Sequence, residues 1–301
     1  MDGIVVLLKP SGMTSHDCVY ALRKISGQKR IGHSGTLDPN ACGVLPLFIG
    51  KATRLIEYTE HATKSYRCEM LLGLVTDTQD IWGTVLEDNR TRTGGISQKD
   101  VTLVLSNFLG SIEQIPPQYS AIKVNGKRLY SYAREGIAVE VNARSVTVNH
   151  IELLNFNENT GRVLFDIECS KGTYVRTICN DAGKILGCGA CMSFLLRTST
   201  SGFSLAESKT LQELSAMTPE SFENELLAPS KALDLMERVQ LSSQEAALFL
   251  NGNMEFQINL TAPTHSNPNE SPFFAMFFLE KFLGVAEYKE NREYKPVKVF
   301  K

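Results

Sequence analysis

Apolar and polar positions recur with two different periods along this chain, and each change of period marks an element. Residues 4–8 (IVVLL) are uniformly apolar and stop at Lys9-Pro10, as a buried strand would. Thr14-x-x-Asp17 has the spacing of a capping box. Val19, Leu22 and Ile25 then recur at helical intervals as far as Gly27, which predicts a helix between those limits. Tyr66, Cys68 and Met70 alternate with Arg67 and Glu69, and Val163, Phe165, Ile167 and Cys169 alternate in the same way; both are strand patterns. Ser97-x-x-Asp100 opens a second helix carrying Val101, Val104, Leu105 and Phe108, with Gly110 as its expected stop. After Lys171-Gly172-Thr173-Tyr174, the positions Val175, Ile178, Ala182 and Ile185 define a third, closed by Gly187. Strands and helices mix without a strict strand–helix–strand rhythm, so the expected class is α+β with a mixed sheet.

The pattern shifts near Arg238. Ser242-x-x-Glu245 caps a short helix ending at Asn251-Gly252, and four strand-like pieces follow at 254–260, 273–279, 282–288 and 295–300. The stretch 261–272 (TAPTHSNPNESP) reads as an exposed loop. Two domains are therefore expected, a larger one over 1–238 and a small β module over 239–301.

Composition narrows the field. The chain has 301 residues, 43% hydrophobic and 21% charged, with a formal charge of −2, which excludes disorder, collagen and coiled coil. Its longest apolar run, 272–279, is far short of the roughly 20 residues of a membrane span, and 4–8 is too short for the core of a signal peptide. A soluble cytoplasmic monomer is expected. Seven scattered cysteines read as reduced thiols; Cys188-x-x-Cys191 lacks the second pair that a zinc site needs. Charge is uneven: 22 basic against 19 acidic residues up to 203, then 9 against 14. Lys123, Lys127, Arg128, Arg134 and Arg144 gather within 115–145 against Glu135 and Glu140, a stripe that reads either as a solvated face or as a contact for phosphates.

The chain has no GxGxxG after a strand, HExxH, GxSxG or phosphate-loop spacing, which removes the common nucleotide, zinc and serine chemistries. The densest stretch is GHSGTLDPNACG (32–43). Its glycines allow sharp turns, and Pro39 pushes Asp38 into an extended conformation beside apolar 44–49. This is either an Asp-Pro turn or a way of presenting one carboxylate in a dry pocket. Arg176, at the start of a helix, sits against the favoured dipole direction, which points to a carboxylate partner; Asp38 is the candidate. Tyr66 is either core or part of that pocket.

At this point the residues resemble a known family. GHSGTLDPNACGVLPLFIGKATRL (32–55) is similar to the catalytic motif of the bacterial TruB family of tRNA pseudouridine synthases. KPSGMTS (9–15), KSY (64–66), TDTQD (76–80), PPQYSAIK (116–123), GKRLY (126–130), AREG (133–136), KGTYVRT (171–177), GCGA (187–190) and LRT (196–198) match in order. Agreement is close over 3–203 and weaker beyond, where FLGV (282–285) and Lys295-Pro296 resemble the family's PUA-like tail.

The resemblance implies a pseudouridine-synthase fold and conversion of the T-loop uridine of tRNA, position 55, to pseudouridine. Substrate and product are isomers, so neither cofactor nor metal is expected. It implies Asp38 as the essential carboxylate, Arg176 as its salt-bridge partner and Tyr66 as the ring stacked on the flipped uracil. Tyr174 and Leu196 would line the pocket, with Leu195 the adjacent alternative, and Lys9 and Pro10 would support its floor. His33 would fill the space the uridine leaves. The segment 115–145 becomes an RNA-closing insertion carrying Lys123, Lys127, Arg128 and Arg134, and the tail would touch the acceptor stem. A tRNA-folding helper and an aspartate-dependent glycosidase are the competing readings; the glycosidase needs a second carboxylate, and Asp77 and Asp80 read as turn residues.

Overall fold

The computed structural model describes residues 1–59, 63–120, 122–124, 126–252, 256–257, 272–289 and 293–301. Nine strands form one mixed sheet. Across it run Gly3–Lys9, Cys42–Ile49, Ala190–Thr200, Lys64–Leu72, Arg162–Cys169, Arg144–Asn157 and Gly110–Gln114, with Ile31–His33 and Phe203–Ser204 as short additions. Neighbours are antiparallel except Cys42–Ile49 against Ala190–Thr200, which run parallel through Leu196↔Cys42 and Arg197↔Gly43. Gly43, at φ +113°, is required there: a Cβ would come within 2.2 Å of the Arg197 carbonyl oxygen.

The expected helices form where their caps stand. Ser15–Ser26 begins on the Thr14–Asp17 capping box and stops at Gly27 in the left-handed region. Gln98–Ser106 begins on Ser97–Asp100 but ends four residues before Gly110, which instead opens the edge strand Gly110–Gln114. Val175–Ile185 follows the KGTY turn. Val101, Val104 and Leu105 of one helix and Ile178, Cys179 and Ala182 of the other bury against Tyr66, Cys68, Met70, Val163, Phe165 and Ile167. Each fully buried Val, Leu, Ile, Met or Phe among them is worth about 1.5–3 kcal/mol. The packing also puts Arg176, in the first turn of its helix, on the sheet face that carries Tyr66.

The tail forms a second sheet in the order Arg238–Gln240, Phe273–Phe278, Lys281–Lys289, Glu293–Val299 and Phe256–Gln257. Arg238 is already part of this sheet, so the β module starts one residue before the expected boundary. Of the piece expected at 254–260, only Phe256–Gln257 lies within the described residues, and the loop expected at 261–272 falls outside them apart from Pro272. The two sheets share a core in which Ala275, Phe277, Val285 and Phe300 pack with Ile4, Val6, Val44, Phe48 and Leu55. Arg54 donates to the Val299 carbonyl at 2.8 Å and stacks on Phe300. Among the described residues no helix is long and apolar enough to cross a membrane.

Candidate active site

Asp38 stands in the irregular loop 34–41, between Ile31–His33 and Cys42–Ile49. Five of the eight carbonyls of this loop, those of Gly35, Leu37, Pro39, Asn40 and Ala41, are held by a side chain or amide from elsewhere. Lys9, fully buried, spends its three N–H donors on the carbonyls of Pro10 (2.9 Å), Pro39 (2.8 Å) and Ala41 (2.6 Å). Ser11 bonds the Asn40 carbonyl, the Gly12 amide bonds that of Pro39, and Ser15 exchanges bonds with both backbone groups of Leu37. Burial lowers the Lys9 pKa, with Asp38 among the charges pulling it back up. Lys9 thus holds the loop by its carbonyls, while Pro10 itself is exposed and contributes its carbonyl.

A second buried cation closes the other side. Arg197 is fully buried and donates through Nε to the Val44 carbonyl (2.7 Å) and through Nη2 to that of Gly35 (3.0 Å). Its Nη1 is buried without a hydrogen-bond partner among the described residues. Arg197 lies directly across the ladder from Tyr66, so both side chains share one sheet face. Burial pushes the Tyr66 hydroxyl up to about 12, against the pull of the Arg197 guanidinium, so it is neutral across the physiological range.

Arg176 joins the elements. Its Nε lies 2.9 Å from Asp38 Oδ2 and its Nη2 3.4 Å from Oδ1, a two-pronged pair. Nη1 donates to the Thr78 carbonyl and Nη2 to that of Tyr119, each at 3.0 Å, and Asp80 Oδ2 is 3.7 Å from Nη1. The Arg176 side chain is 5% exposed and that of Asp38 40%, so the cation is walled in while the carboxylate opens to the outside. Asp80 is a turn residue, as its sequence reads, but also a second carboxylate on the same arginine. It accepts from the Thr78 hydroxyl at 2.7 Å, and burial raises its pKa. Tyr174 caps the Arg176 helix. Gln114 clamps its backbone from both sides, accepting from its amide at 2.7 Å and donating to its carbonyl at 3.0 Å. Burial raises the Tyr174 hydroxyl.

One expected pocket residue is displaced. Leu196 pairs with Arg67, whereas Leu195 pairs with Cys68 and is buried in the core that holds Tyr66. Strand side chains alternate between faces, so Leu195, not Leu196, lies on the pocket side. His33 stands at the entry to the loop, half-buried, with Nδ1 buried and unpartnered among the described residues; burial lowers its pKa. Gln114, Tyr119, Asp80 and Arg197 carry no local sequence signal as pocket residues; the Tyr174 clamp, the Arg176 contacts and the ladder register bring them in.

The basic segment leaves the sheet. Gly110–Gln114 and Arg144–Asn157 are adjacent antiparallel strands, and residues 115–143 bulge out between them. Lys123 and Arg128 are exposed on the small hairpin Lys123–Val124/Lys127–Arg128. Lys127 pairs with Glu135 at 2.6 Å, and Arg128 and Arg134 flank the Tyr130 ring. The Tyr119 carbonyl ties the root of this segment to Arg176.

Comparisons with known proteins agree with this geometry. Residues 23–175 match the N-terminal domain of TruB family pseudouridylate synthases, and 176–237 match the tRNA pseudouridylate synthase B C-terminal domain. The chain is 42% identical over 303 residues to tRNA pseudouridine synthase B of Alkaliphilus oremlandii, covering 100% of this chain and 98% of that one. It is 40% identical over 303 residues to the Streptococcus pyogenes serotype M2 protein of the same name, covering 99% of each. Among solved structures, that of a Cbf5-Nop10-Gar1 complex superposes with a TM-score of 0.74 at 26% identity, over 99% of this chain and 84% of that one. A domain match over half the chain and end-to-end likeness to these relatives lead to one conclusion: the chain belongs to the TruB family of pseudouridylate synthases and is an isomerase.

Proposed function

We propose that this protein converts the T-loop uridine of tRNA, position 55, to pseudouridine, with Asp38 as the essential carboxylate. The observation that carries the reading is the Arg176–Asp38 pair: a guanidinium sealed in the core orients a carboxylate that stays 40% exposed. Such a group is fixed in place yet open to a substrate. The uridine inside a folded loop is out of reach of any side chain, so it is extruded first. Tyr66 and Leu195 then offer an apolar floor for the uracil, Tyr174 lines the side, and His33 at the mouth fills the space the base leaves. Neutral Tyr66 stacks without the cost of a buried charge and is placed to take part in the proton step at C5. The base is cut from C1′, turned and rejoined through C5, so every atom of the substrate is kept and no cofactor is consumed.

Lys123, Lys127, Arg128 and Arg134 contact the RNA backbone from the insertion, and the PUA-like tail reaches the acceptor stem. The protein acts as a monomer in the cytoplasm. The tail's sheet packs on the same core as the catalytic sheet.

The test is site-resolved mapping of pseudouridine on an unmodified tRNA transcript for wild type and Asp38→Asn. The expected outcome is conversion at the T-loop uridine alone, abolished in the variant while transcript binding persists. Release of free uracil would establish the glycosidase reading instead. Binding without conversion by the wild type would leave only an RNA-folding role.

A further inference from the structure

The hairpin of Leu74–Thr76 and Val85–Asp88 ends in a tip, residues 77–84, that touches both parts of the proposed RNA-facing surface. Asp80 lies 3.7 Å from the Arg176 that pairs with Asp38. Asp77 accepts from the Tyr119 hydroxyl at 3.4 Å, at the root of the basic insertion. The tip is fixed to the sheet by the Ile81 amide on the Met192 carbonyl (2.9 Å) and the Met192 amide on that of Gln79 (3.0 Å). Within it the Trp82 amide bonds Asp80 and the Thr84 amide bonds Asp77. At Gly83 a Cβ would fall 2.2 Å from the Thr78 hydroxyl and 2.4 Å from the Asp77 carboxylate, so the turn is packed against itself.

On this rigid tip stands Trp82, the only tryptophan of the chain, 48% exposed, beside Ile81 at 38%. Indole is large and apolar and normally finds cover. Extruding a uridine from its loop strips stacking from the bases on either side of it, and every base has a face that an aromatic ring can replace. Of the nearby carboxylates, Asp88 is paired with Arg90 and Asp80 lies beside Arg176, while Asp77 and Glu87 keep their charge, so what the tip offers a strand is the face of the ring and not electrostatic attraction. We propose that Trp82 is a stacking platform for an unpaired base flanking the modified uridine, held between the catalytic carboxylate and the basic insertion. The inference rests on the reading of the protein as a tRNA pseudouridine synthase.

A single tryptophan makes the test direct, since the emission of the full chain at tryptophan excitation reports this ring alone. In an Asp38→Asn background, titration with the unmodified transcript quenches that emission saturably, after correction against free tryptophan amide for absorption by the RNA. Trp82→Ala weakens binding by roughly 5- to 150-fold, the range of one lost base–aromatic stack, while Trp82→Phe retains most of the affinity. Saturable binding with unchanged emission, or quenching with no loss of affinity in Trp82→Ala, overturns the proposal while leaving the proposed function intact. A concentration-dependent shift of emission without RNA would show the ring covered by a second copy of the chain and overturn it as well. If the transcript binds neither form, the proposed function fails, and this inference with it.

Discussion

Loop 34–41 and segment 115–143 are both largely irregular, yet they are built in opposite ways. The first has its carbonyls bonded to buried Lys9 and Arg197 and to Ser11, Ser15 and the Gly12 amide. The second is mostly half-buried or exposed, and its cations pair locally: Lys127 with Glu135, Arg128 and Arg134 with Tyr130. Gln118 bonds both backbone groups of Val139 within the segment itself, and among the described residues the segment's ties to the body include the Tyr119 hydroxyl on Asp77 and the Tyr119 carbonyl on Arg176. A site that makes and breaks bonds must hold its groups to fractions of an ångström. A surface that grips a flexible polyanion gains from few buried contacts and adjustable side chains. On the proposed function, the difference separates the part of the molecule that performs chemistry from the part that finds RNA.

The strongest way to break this contrast is at Arg176. Arg176→Leu leaves Asp38 without its partner and Asp80 beside it without a cation. The expected result is a fall of at least about a hundredfold in turnover, seen in single-turnover assays, with tRNA affinity nearly unchanged. Equal loss of affinity would mean that Arg176 serves binding and not the carboxylate.

Lys9→Met tests the floor. It orphans the buried Ala41 carbonyl and leaves that of Pro39 with the Gly12 amide alone, and a cost of about 1–3 kcal/mol in chemical denaturation is expected. Unaltered stability would show that the loop keeps its shape without its buried cation. The insertion should respond the other way. Lys123→Ala or Arg128→Ala lowers tRNA affinity roughly fivefold and reduces the salt slope by about one. Unfolding free energy should move by no more than about 0.5 kcal/mol. A marked loss of stability there would erase the distinction between the two regions.

Much of the catalytic half is legible in the sequence because its signals are local. The Thr14–Asp17 and Ser97–Asp100 boxes set helix starts, Gly27 sets a stop, and the alternation around Tyr66 and Phe165 sets which face is buried. Errors fall where local spacing is silent. Phe108 and Gly110 extend a plausible helical pattern, but Gly110–Gln114 gains more by pairing with Arg144–Val148. Leu195 and Leu196 are equivalent as neighbours in sequence, and only the pairing of Leu195 with Cys68 separates them. Arg238–Gln240 is too short and polar to announce itself as a strand, and it exists because Phe273–Phe278 offers it an edge.

By itself, the sequence determined the helix boundaries that capping residues encode, the faces that periodicity encodes, the aspartate loop and, through its motifs, the family. The tertiary structure decided that Arg176 serves two carboxylates, that Gln114 clamps Tyr174, that Arg197 faces Tyr66 and that the tip carrying Trp82 reaches both Arg176 and Tyr119. The reason lies in the range of the interactions. Caps and periodicities act over three or four residues, so composition and spacing carry them. The bond from Arg176 to Asp38 spans 138 positions and that from Arg197 to Val44 spans 153. Such contacts follow from strand register and helix docking, which the packing of the whole core selects.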